Sequence, residues 1–411
     1  MFDLGYSLGG LLRKARFGII ATLAALAVGV TTAILAPAHA VPDYPTAAEV
    51  AAAKANVQEK QKMIERIEGI LDVLEDEARA LEKIALQKNE AHNQAMEAVN
   101  VMAGKVEGLE LAVDQAEVEA VDAERQMGQI VARMYQMGTS GDPTLEIFFN
   151  PESADDLLYQ LGTQEMLAQR TDAIYQAALD KKAQAEQLAN ELASAQAELE
   201  VRREEAKRLL DEAQAAADAV IAKVRESEIQ RAEMMSQLAS LKDTASDLER
   251  QRREGLEAER RQNAIKAAPT APELYTVSDP DWAKVEIAIA FAEEQLGERY
   301  VLGGAGPNVW DCSGITMKAY AAAGTYIGWH SATAQYNVMA SQKKLVPFQD
   351  VQRGDLIWWS TEKAFSGDKY HVAIYMGDGM MLEAPNPART VRIVPVRYGE
   401  LWPYAGRPTA N

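Results

Sequence analysis

The chain has 411 residues, which is longer than one ordinary domain. Of these residues 48% are hydrophobic but only 7% are aromatic, a composition typical of long helices. The formal net charge of -19 repels phosphate, so we expect no nucleic acid partner. The lone cysteine, Cys312, excludes an internal disulfide and a multi-cysteine metal site. The sequence shows neither a phosphate loop nor a cluster of metal ligands, so we expect no metal and no cofactor.

The N-terminal residues have the pattern of an export signal. Arg13 and Arg16 precede an apolar run at residues 17–35, and an Ala-x-Ala site ends at Ala40. We predict that residues 1–40 are a signal peptide cleaved after Ala40, so that the protein is secreted and the rest of the chain lies outside the cytoplasm. Because the apolar run approaches the ~20 residues of a spanning helix, an uncleaved anchor is the alternative.

Residues 41–265 are predicted to form a long antiparallel coiled-coil hairpin. Apolar residues recur in alternating steps of three and four along two tracts. These are Ile64, Ile67, Leu71, Leu74, Ala78, Leu81 and Ala85, then Met234, Leu238, Leu241, Ala245 and Leu248. A Gly- and Pro-containing breaker at residues 138–143 separates the two arms, so we place the tip near residues 138–162. We expect His92, in the first arm, to lie on a solvated helix surface.

The predicted tip carries bulky apolar residues that neither arm covers. They are Leu145, Ile147, Phe148, Phe149, Leu157, Leu158 and Leu161. Two interpretations stay open: a small helical cap that buries these side chains locally, or a docking surface for another protein.

A Pro-containing linker at residues 266–281 is predicted to lead into a globular domain at residues 282–411, which holds all 6 tryptophans. Asp281 has the position of an N-cap, and the apolar face of the helix that follows extends to Leu296. The domain is close to neutral, so most of the negative charge belongs to the solvated faces of the helical arms.

Cys312 follows Asp311 at the start of an apolar helical pattern that stops at Gly324. If Asp311 caps this helix, the thiol lies in the first turn, where free N–H groups and the helix dipole lower the pKa of a thiol. The alternatives are a buried small hydrophobic residue or an intermolecular disulfide. A nucleophilic cysteine needs an imidazole, and His330 and His371 are the histidines outside the signal and the coiled coil.

His371 begins a predicted β-hairpin that contains Glu383. With Gly377-Asp378-Gly379 as a three-residue loop, Ala373 pairs with Glu383, and His371 becomes a diagonal neighbour of that carboxylate on one face. A two-residue loop would shift the register by one and place the two residues on opposite faces. Glu383 would then be a solvent-facing strand residue.

Five motifs in the last domain carry a family resemblance: Tyr300–Gly304, Asp311–Gly314, His330–Ser331, Arg353–Leu356 and His371–Tyr375. In order and spacing they resemble the NlpC-type cell-wall cysteine peptidases, a bacterial branch of the papain-like superfamily. The resemblance implies an α+β papain-like domain, with a helix that bears the cysteine packed on an antiparallel sheet that bears the histidine. It implies hydrolysis of peptidoglycan stem peptides, usually at the bond between D-γ-glutamate and a diamino acid.

The resemblance also implies roles for individual residues. Cys312 matches the nucleophile, His371 the general base, and Glu383 the third polar residue, which in the family is more often histidine. Tyr300 matches an oxyanion-stabilising tyrosine, while Asp311 and Ser313 match positions that bind the amino end of the stem peptide. His330 and Ser331 stand where the family often has Arg-Ser and count among the candidate substrate-binding residues. We expect His330 to be a cleft-lining or helix-entry residue rather than a second base.

The whole architecture resembles exported cell-wall hydrolases that join a coiled-coil hairpin to such a domain and serve cell separation. In those relatives a division-site membrane complex docks on the coiled coil, which can also hold the cleft shut. Two other hypotheses remain for this chain: a catalytically silent coiled-coil adaptor that binds peptidoglycan, and an amidase or transpeptidase that uses the same thiol.

Overall fold

The computed structural model describes residues 44–137, 154–243, 249–256 and 269–410. The predicted signal peptide, Ala245 and Leu248 of the second apolar tract, and the apolar side chains of the predicted hairpin tip lie outside the residues whose side chains it describes. The features below belong to the compact unit at Pro45–Asn411. Among its described helices, none is long and apolar enough to cross a membrane.

The N-terminal part of this unit is helical. Helix α1 covers Ala47–Ala53, α2 covers Val57–Met137 and α3 covers Ala154–Lys242, with a further short helical segment at residues 249–256. We call α2 the first arm and α3 the second arm. The arms are 81 and 89 residues long, so the first extends for about 120 Å.

The two arms run antiparallel along each other, as the sequence predicts. An ion pair joins Lys60 to Asp243 (3.0 Å) near the base, and another joins Glu119 to Lys181 (2.7 Å) far along the arms. The predicted seam is buried near the base, where Ile67 and Leu238 are fully covered. Burial of this apolar stripe holds the arms together, since isolated helices gain little stability from propensity alone.

The C-terminal part is an α+β domain. Its helices are α4 (Trp282–Glu293), α5 (Cys312–Ala322) and α6 (Ala332–Ser341). Its strands are β1 (Arg299–Tyr300), β2 (Val309–Trp310), β3 (Leu345–Pro347), β4 (Leu356–Trp359), β5 (His371–Gly377), β6 (Met380–Glu383), β7 (Arg392–Pro395) and β8 (Tyr404–Gly406). The last six strands form one antiparallel sheet in the order β3-β8-β4-β5-β6-β7, and β1 and β2 form a short parallel pair.

The cysteine-bearing helix α5 packs on the sheet at β5, which begins with the predicted histidine. This arrangement confirms the predicted fold class. Asp281 caps α4 as predicted, with its side chain accepting from the N–H of Ala283 (3.1 Å). The prediction that the apolar face of this helix includes Leu296 is wrong, because α4 ends at Glu293 and Leu296 is exposed.

The first arm also lies against the α+β domain. It contacts α6 and β5, and Leu86 is buried in the apolar core of that domain. An exposed ion pair joins Lys83 of the first arm to Glu400 (3.0 Å), and another joins Glu228 of the second arm to Arg389 (3.1 Å). The arm therefore reaches the side of the domain from which α5 and β5 present their functional residues.

Candidate active site

Cys312 is the first residue of α5, and Asp311 caps this helix. The side chain of Asp311 accepts from the N–H of Gly314 (2.7 Å), which confirms the predicted N-cap. Gly314 allows the first turn to pack closely, because a Cβ at this position would overlap with the carbonyl oxygen of Gly304. The thiol is therefore held at a fixed place beside the β1–β2 segment.

The thiol is buried, and its pKa differs from the expectation. Burial, together with the carboxylates of Asp311 and Glu90, raises the pKa of Cys312 well above its ordinary value. Backbone N–H groups at Ser313 and Val372 act in the opposite sense but do not outweigh burial. The prediction of a lowered pKa is thus wrong for this state of the protein, because the sequence does not reveal what covers the helix N-terminus.

His371 and Glu383 form a buried pair on the sheet. Nε2 of His371 lies 2.8 Å from Oε2 of Glu383, and both side chains are fully buried. Glu383 therefore lies beside the imidazole rather than in solvent. Its carboxylate fixes the orientation of the ring.

Near His371 the β5–β6 hairpin has the predicted pairing of residues, but its loop differs from the predicted one. The loop is the two-residue turn Asp378-Gly379, and Gly377 pairs with Met380, so the prediction of a three-residue loop is wrong. An irregularity between Tyr375 and Gly377 adds one residue to β5 and compensates for the shorter turn. Ile374 consequently pairs with Leu382, which keeps His371 and Glu383 on one face.

Two buried polar atoms near the thiol have no hydrogen-bond partner among the described residues. They are Nδ1 of His371 and the hydroxyl oxygen of Tyr300. Burial and the neighbouring Cys312 raise the pKa of Tyr300 well above its usual range, so this hydroxyl stays protonated. Unpaired buried polar atoms are costly, and each of these two has a possible partner in a thiol reaction. The Tyr300 hydroxyl can donate to an oxyanion on the carbon that the thiol attacks, and Nδ1 of His371 can accept the thiol proton.

Asp311 links the other predicted residues of the site. Its Oδ1 lies 2.7 Å from Nε2 of His330 and accepts from the hydroxyl of Ser313 (3.2 Å). Burial by itself would lower the pKa of His330. The carboxylate of Asp311 outweighs burial and raises this pKa, and the nearby Glu90 acts in the same direction as Asp311. The structure thus places Asp311, Ser313 and His330 together at the N-terminal end of α5.

The first arm fills the space in front of this cluster. Nδ2 of Asn89 and Nδ2 of Asn93 donate to Oδ2 of Asp311 at 3.2 and 3.0 Å. Asn93 also lies 3.4 Å from the hydroxyl of Ser313. Two amide groups of the arm therefore occupy the surroundings of a carboxylate that the family resemblance assigns to the amino end of a substrate.

Ser331 and the N-terminus of α6 hold a second group from the arm. The carboxylate of Glu90 accepts from the Ser331 hydroxyl (2.7 Å) and from the N–H groups of Ala332 and Thr333 (both 2.9 Å). Its position follows from the favourable field at a helix N-terminus. Burial raises the pKa of Glu90 in spite of these hydrogen bonds.

We call residues 89–94 of the first arm the docking stretch. His92 in this stretch is buried, and its Nδ1 lies 3.1 Å from the carbonyl oxygen of Ala206 in the second arm. The expectation that His92 is solvated is therefore wrong. Sequence alone shows a polar helix surface here, and such a pattern cannot distinguish water from a polar partner domain.

Two arginines that the sequence reasoning missed surround Glu383. Arg392 lies directly opposite Glu383 on β7, and Arg397 follows the same strand. Both guanidinium groups contact the Glu383 carboxylate. The β6–β7 register could have pointed to Arg392, but no turn motif in the sequence fixes that register. In the part of the chain that the structure describes, no group of three or more His, Cys, Asp or Glu side chains is arranged to hold a metal ion.

Comparison with known proteins supports the family resemblance. The NlpC/P60 family model matches residues 297–404. Peptidoglycan endopeptidase RipA of Mycobacterium tuberculosis is 36% identical over 104 residues, 25% of this chain and 20% of RipA. Peptidoglycan endopeptidase RipB of the same species is 35% identical over 136 residues, 30% of this chain and 52% of RipB. Gamma-D-glutamyl-L-lysine dipeptidyl-peptidase of Bacillus cereus is 35% identical over 112 residues, 27% of this chain and 32% of that enzyme.

Solved structures also match part of the chain. The peptidoglycan hydrolase RipB of Mycobacterium tuberculosis matches with a TM-score of 0.27 and 31% identity, over 31% of this chain and 66% of that one. The P60 domain of an antigen of M. avium subspecies paratuberculosis matches with a TM-score of 0.28 and 30% identity, over 31% of this chain and 96% of that one. The present chain spans between 20% and 52% of the length of the three relatives above.

A capped cysteine helix packed on an antiparallel sheet with a histidine–carboxylate pair defines an α+β domain of the papain-like class. Within this class, the C-terminal domain is similar to NlpC/P60 domains over residues 297–404, and it follows two long helical arms.

Proposed function

We propose that the protein is a secreted peptidoglycan endopeptidase that cleaves stem peptides at the bond between D-γ-glutamate and a diamino acid. The observation that carries this proposal is the buried His371–Glu383 pair beside the helix that begins at Cys312. The NlpC/P60 match and the names of the relatives support the substrate class, and one relative is a γ-D-glutamyl-L-lysine dipeptidyl-peptidase.

The geometry supports a thiol mechanism. Glu383 holds Nε2 of His371, which leaves Nδ1 to accept the proton of Cys312. The thiolate then attacks the amide carbon, and the Cys312 N–H and the Tyr300 hydroxyl stabilise the oxyanion. His371 returns the proton to the leaving amine and afterwards activates the water that hydrolyses the acyl-enzyme.

Substrate binding is proposed for the cluster at the N-termini of α5 and α6. The Asp311 carboxylate and the Ser313 hydroxyl are suited to the amino end of a stem peptide, because a buried carboxylate favours a cation or N–H donors. His330 orients Asp311, and Ser331 provides a hydroxyl beside the N-terminus of α6.

The docking stretch is proposed to keep this site closed. Asn89 and Asn93 donate hydrogen bonds to the Asp311 carboxylate. Glu90 accepts hydrogen bonds from the Ser331 hydroxyl and from the N-terminus of α6. A substrate that binds the same groups has to displace the arm. Burial and Asp311 raise the pKa of Cys312, and Glu90 of the arm acts in the same direction, so the closed state disfavours the reactive thiolate as well as substrate entry.

The cellular role is proposed by the same reasoning. Export by the N-terminal signal would bring the protein to the cell wall, where controlled cleavage serves remodelling and daughter-cell separation. A division-site membrane complex that pulled on the hairpin would release the docking stretch. The long arms are suited to this role because they connect the site to a point far from the catalytic domain.

Product analysis with the full secreted chain tests the activity. The double variant Asn89→Asp/Asn93→Asp places carboxylates against Asp311 and should release the arm by like-charge repulsion. We expect this variant to cleave defined muropeptides between D-glutamate and the diamino acid, faster than the wild type does, as read from product masses. Adding Cys312→Ala should abolish cleavage.

The outcomes separate the hypotheses. Products cut at the lactyl–alanine bond would indicate an amidase, and cross-linked products would indicate a transpeptidase. If the released variant binds muropeptides without cleaving them, the enzyme proposal is wrong and the adaptor hypothesis stands. If it cleaves them equally well without Cys312, the proposed thiol enzyme is wrong.

A further inference from the structure

The Glu383 carboxylate is surrounded by donors on both of its oxygens. Oε2 accepts from Arg397 (2.8 Å) and contacts Nε2 of His371 (2.8 Å). Oε1 accepts from Nε and a terminal nitrogen of Arg392 (3.1 and 2.9 Å) and from Arg397 (2.7 Å). These are more donors than orientation of one imidazole requires. A fully buried carboxylate is costly in the absence of such partners.

The contacts fix the tautomer of His371. A carboxylate that is held by two guanidinium groups is ionised, and although burial acts against this, Arg397 and His371 hold the pKa of Glu383 well below its usual range. An ionised carboxylate can only accept, so Nε2 of His371 carries a proton. Neutral His371 then has a bare Nδ1, the atom without a partner among the described residues.

The charge around His371 has contributions from several elements. Glu383 on β6 favours the imidazolium, whereas Arg392 on β7 and Arg397 after it disfavour it. From the first arm, Glu82 faces both arginines. Without the arginines, a buried carboxylate would stabilise the imidazolium, which cannot take a proton from the thiol.

We propose that Arg392 and Arg397 are positioning residues for the reaction, which hold Glu383 as a carboxylate and offset its charge so that His371 stays neutral and able to accept the thiol proton. This deepens the proposed function, on which its catalytic meaning rests. Burial lowers the pKa of His371, and the two arginines act in the same direction, against Glu383.

Contacts with Trp359 also hold Arg397 in place. Its guanidinium lies over the ring of Trp359 (5.1 Å to the centroid), and that ring packs against His371 (5.2 Å between centroids). The indole N–H of Trp359 donates to the carbonyl oxygen of Arg397 (2.8 Å). Arg397 is therefore held by Trp359 and contacts both oxygens of Glu383. We expect it to affect His371 more strongly than Arg392 does.

The titration of His371 tests the proposal without any need for hydrolysis. In the full chain labelled with ¹⁵N-histidine, NMR would follow the imidazole of His371, identified by its loss in His371→Gln. Arg397→Gln removes one positive charge, so we expect the titration midpoint of His371 to rise by about one pH unit. Arg392→Gln should raise it less, because Arg392 contacts only Oε1 of Glu383, and this variant serves if Arg397→Gln does not fold.

Two matched variants separate the charge effect from a structural one. Arg397→Lys keeps the charge and should leave the midpoint at the wild-type value. Arg389→Gln removes an arginine of the same region that pairs with Glu228 instead of Glu383, and should also leave the midpoint unchanged. The proposal is overturned if Arg397→Gln and Arg392→Gln leave the midpoint unchanged or lower it, or if Arg389→Gln raises it equally.

If hydrolysis is never detected but the midpoints move as expected, the proposed function fails while the role of the arginines stands. If the released variant hydrolyses muropeptides, the acid limb of its pH–rate profile should move upward with Arg397→Gln, in step with the titration of His371.

Discussion

The docking stretch and the arm segment just beyond it bury different kinds of residue. In the docking stretch, Asn89, Glu90 and Asn93 are 1%, 3% and 4% exposed. Farther along the same helix, an apolar cluster joins the two arms, which we call the distal seam. Its members are Val99, Met102, Val106, Ala195, Leu199 and Ala206.

This difference suggests two kinds of interface. The distal seam is apolar and would expose hydrophobic surface if it separated, so it holds the hairpin together permanently. The docking stretch is polar, and water can satisfy its amides and carboxylate once it leaves the catalytic domain. A polar interface of this kind can therefore open and close without unfolding the hairpin.

The largest expected effect concerns the site and not the arms. In the released variant Asn89→Asp/Asn93→Asp, adding Glu383→Gln should lower the rate of muropeptide hydrolysis by about 1000-fold, because His371 loses the carboxylate that orients it. Steady-state kinetics measures this loss. A released variant that keeps its rate without Glu383 would show that the chemistry does not depend on this pair.

A charge reversal in the docking stretch should have the next largest effect. Glu90→Arg places a cation against the N–H groups of Ala332 and Thr333, so we expect hydrolysis by the full chain to rise about tenfold or more. The matched control is Glu107→Arg, at an exposed position of the same arm. An equal rise in the control would mean that the comparison between the two interfaces does not hold.

A change in the distal seam should alter stability and leave the site closed. Leu199→Ala removes a buried side chain between the arms, and we expect the free energy of unfolding to fall by about 2 kcal/mol. Denaturant titration measures this change. The hydrolysis rate of the full chain should stay at the wild-type value, and a marked rise would show that the distal seam also controls the cleft.

The smallest effect is a dependence of docking on pH. Burial raises the pKa of Glu90, so the docked state favours its protonated form, and docking should weaken as pH rises through that raised value. Hydrogen exchange of the Ala332 and Thr333 amides, corrected for intrinsic rates, should lose protection severalfold from about pH 5 to about pH 8. The variant Glu90→Gln should show a weaker trend, and an unchanged trend would contradict the role of Glu90.

Much of the fold and part of the site could be predicted from the sequence because local patterns determine them. The spacing of Ile67 and Leu71 predicts the seam, and Asp311 before an apolar helical pattern predicts the cap on the Cys312 helix. The hairpin around Asp378 shows the limit of this reasoning. Its turn is one residue shorter than predicted, and the extra residue in β5 restores the register. Local turn rules do not reveal this extra residue.

The residues that the sequence reasoning missed depend on contacts between distant segments. Asn93 meets Asp311 across 218 positions of the chain, and nothing local distinguishes it from a solvated helix residue. Arg397 reaches Glu383 from beyond the neighbouring strand. Such contacts follow from the tertiary arrangement, which also explains why burial overrides the expected effect of the helix N-terminus on Cys312.

The central claim is that the docking stretch closes the site, and the reactivity of Cys312 tests it most directly. Because this is the chain's only cysteine, iodoacetamide labelling of the full chain reports on one thiol. We predict that Asn89→Asp/Asn93→Asp labels at least about tenfold faster than the wild type, since release opens the site at Asp311 and removes the Glu90 carboxylate, which helps to raise the pKa of the thiol. The control Asn100→Asp, at an exposed position of the same arm, should label at the wild-type rate. Equal labelling rates for the wild type and the double variant would contradict the account.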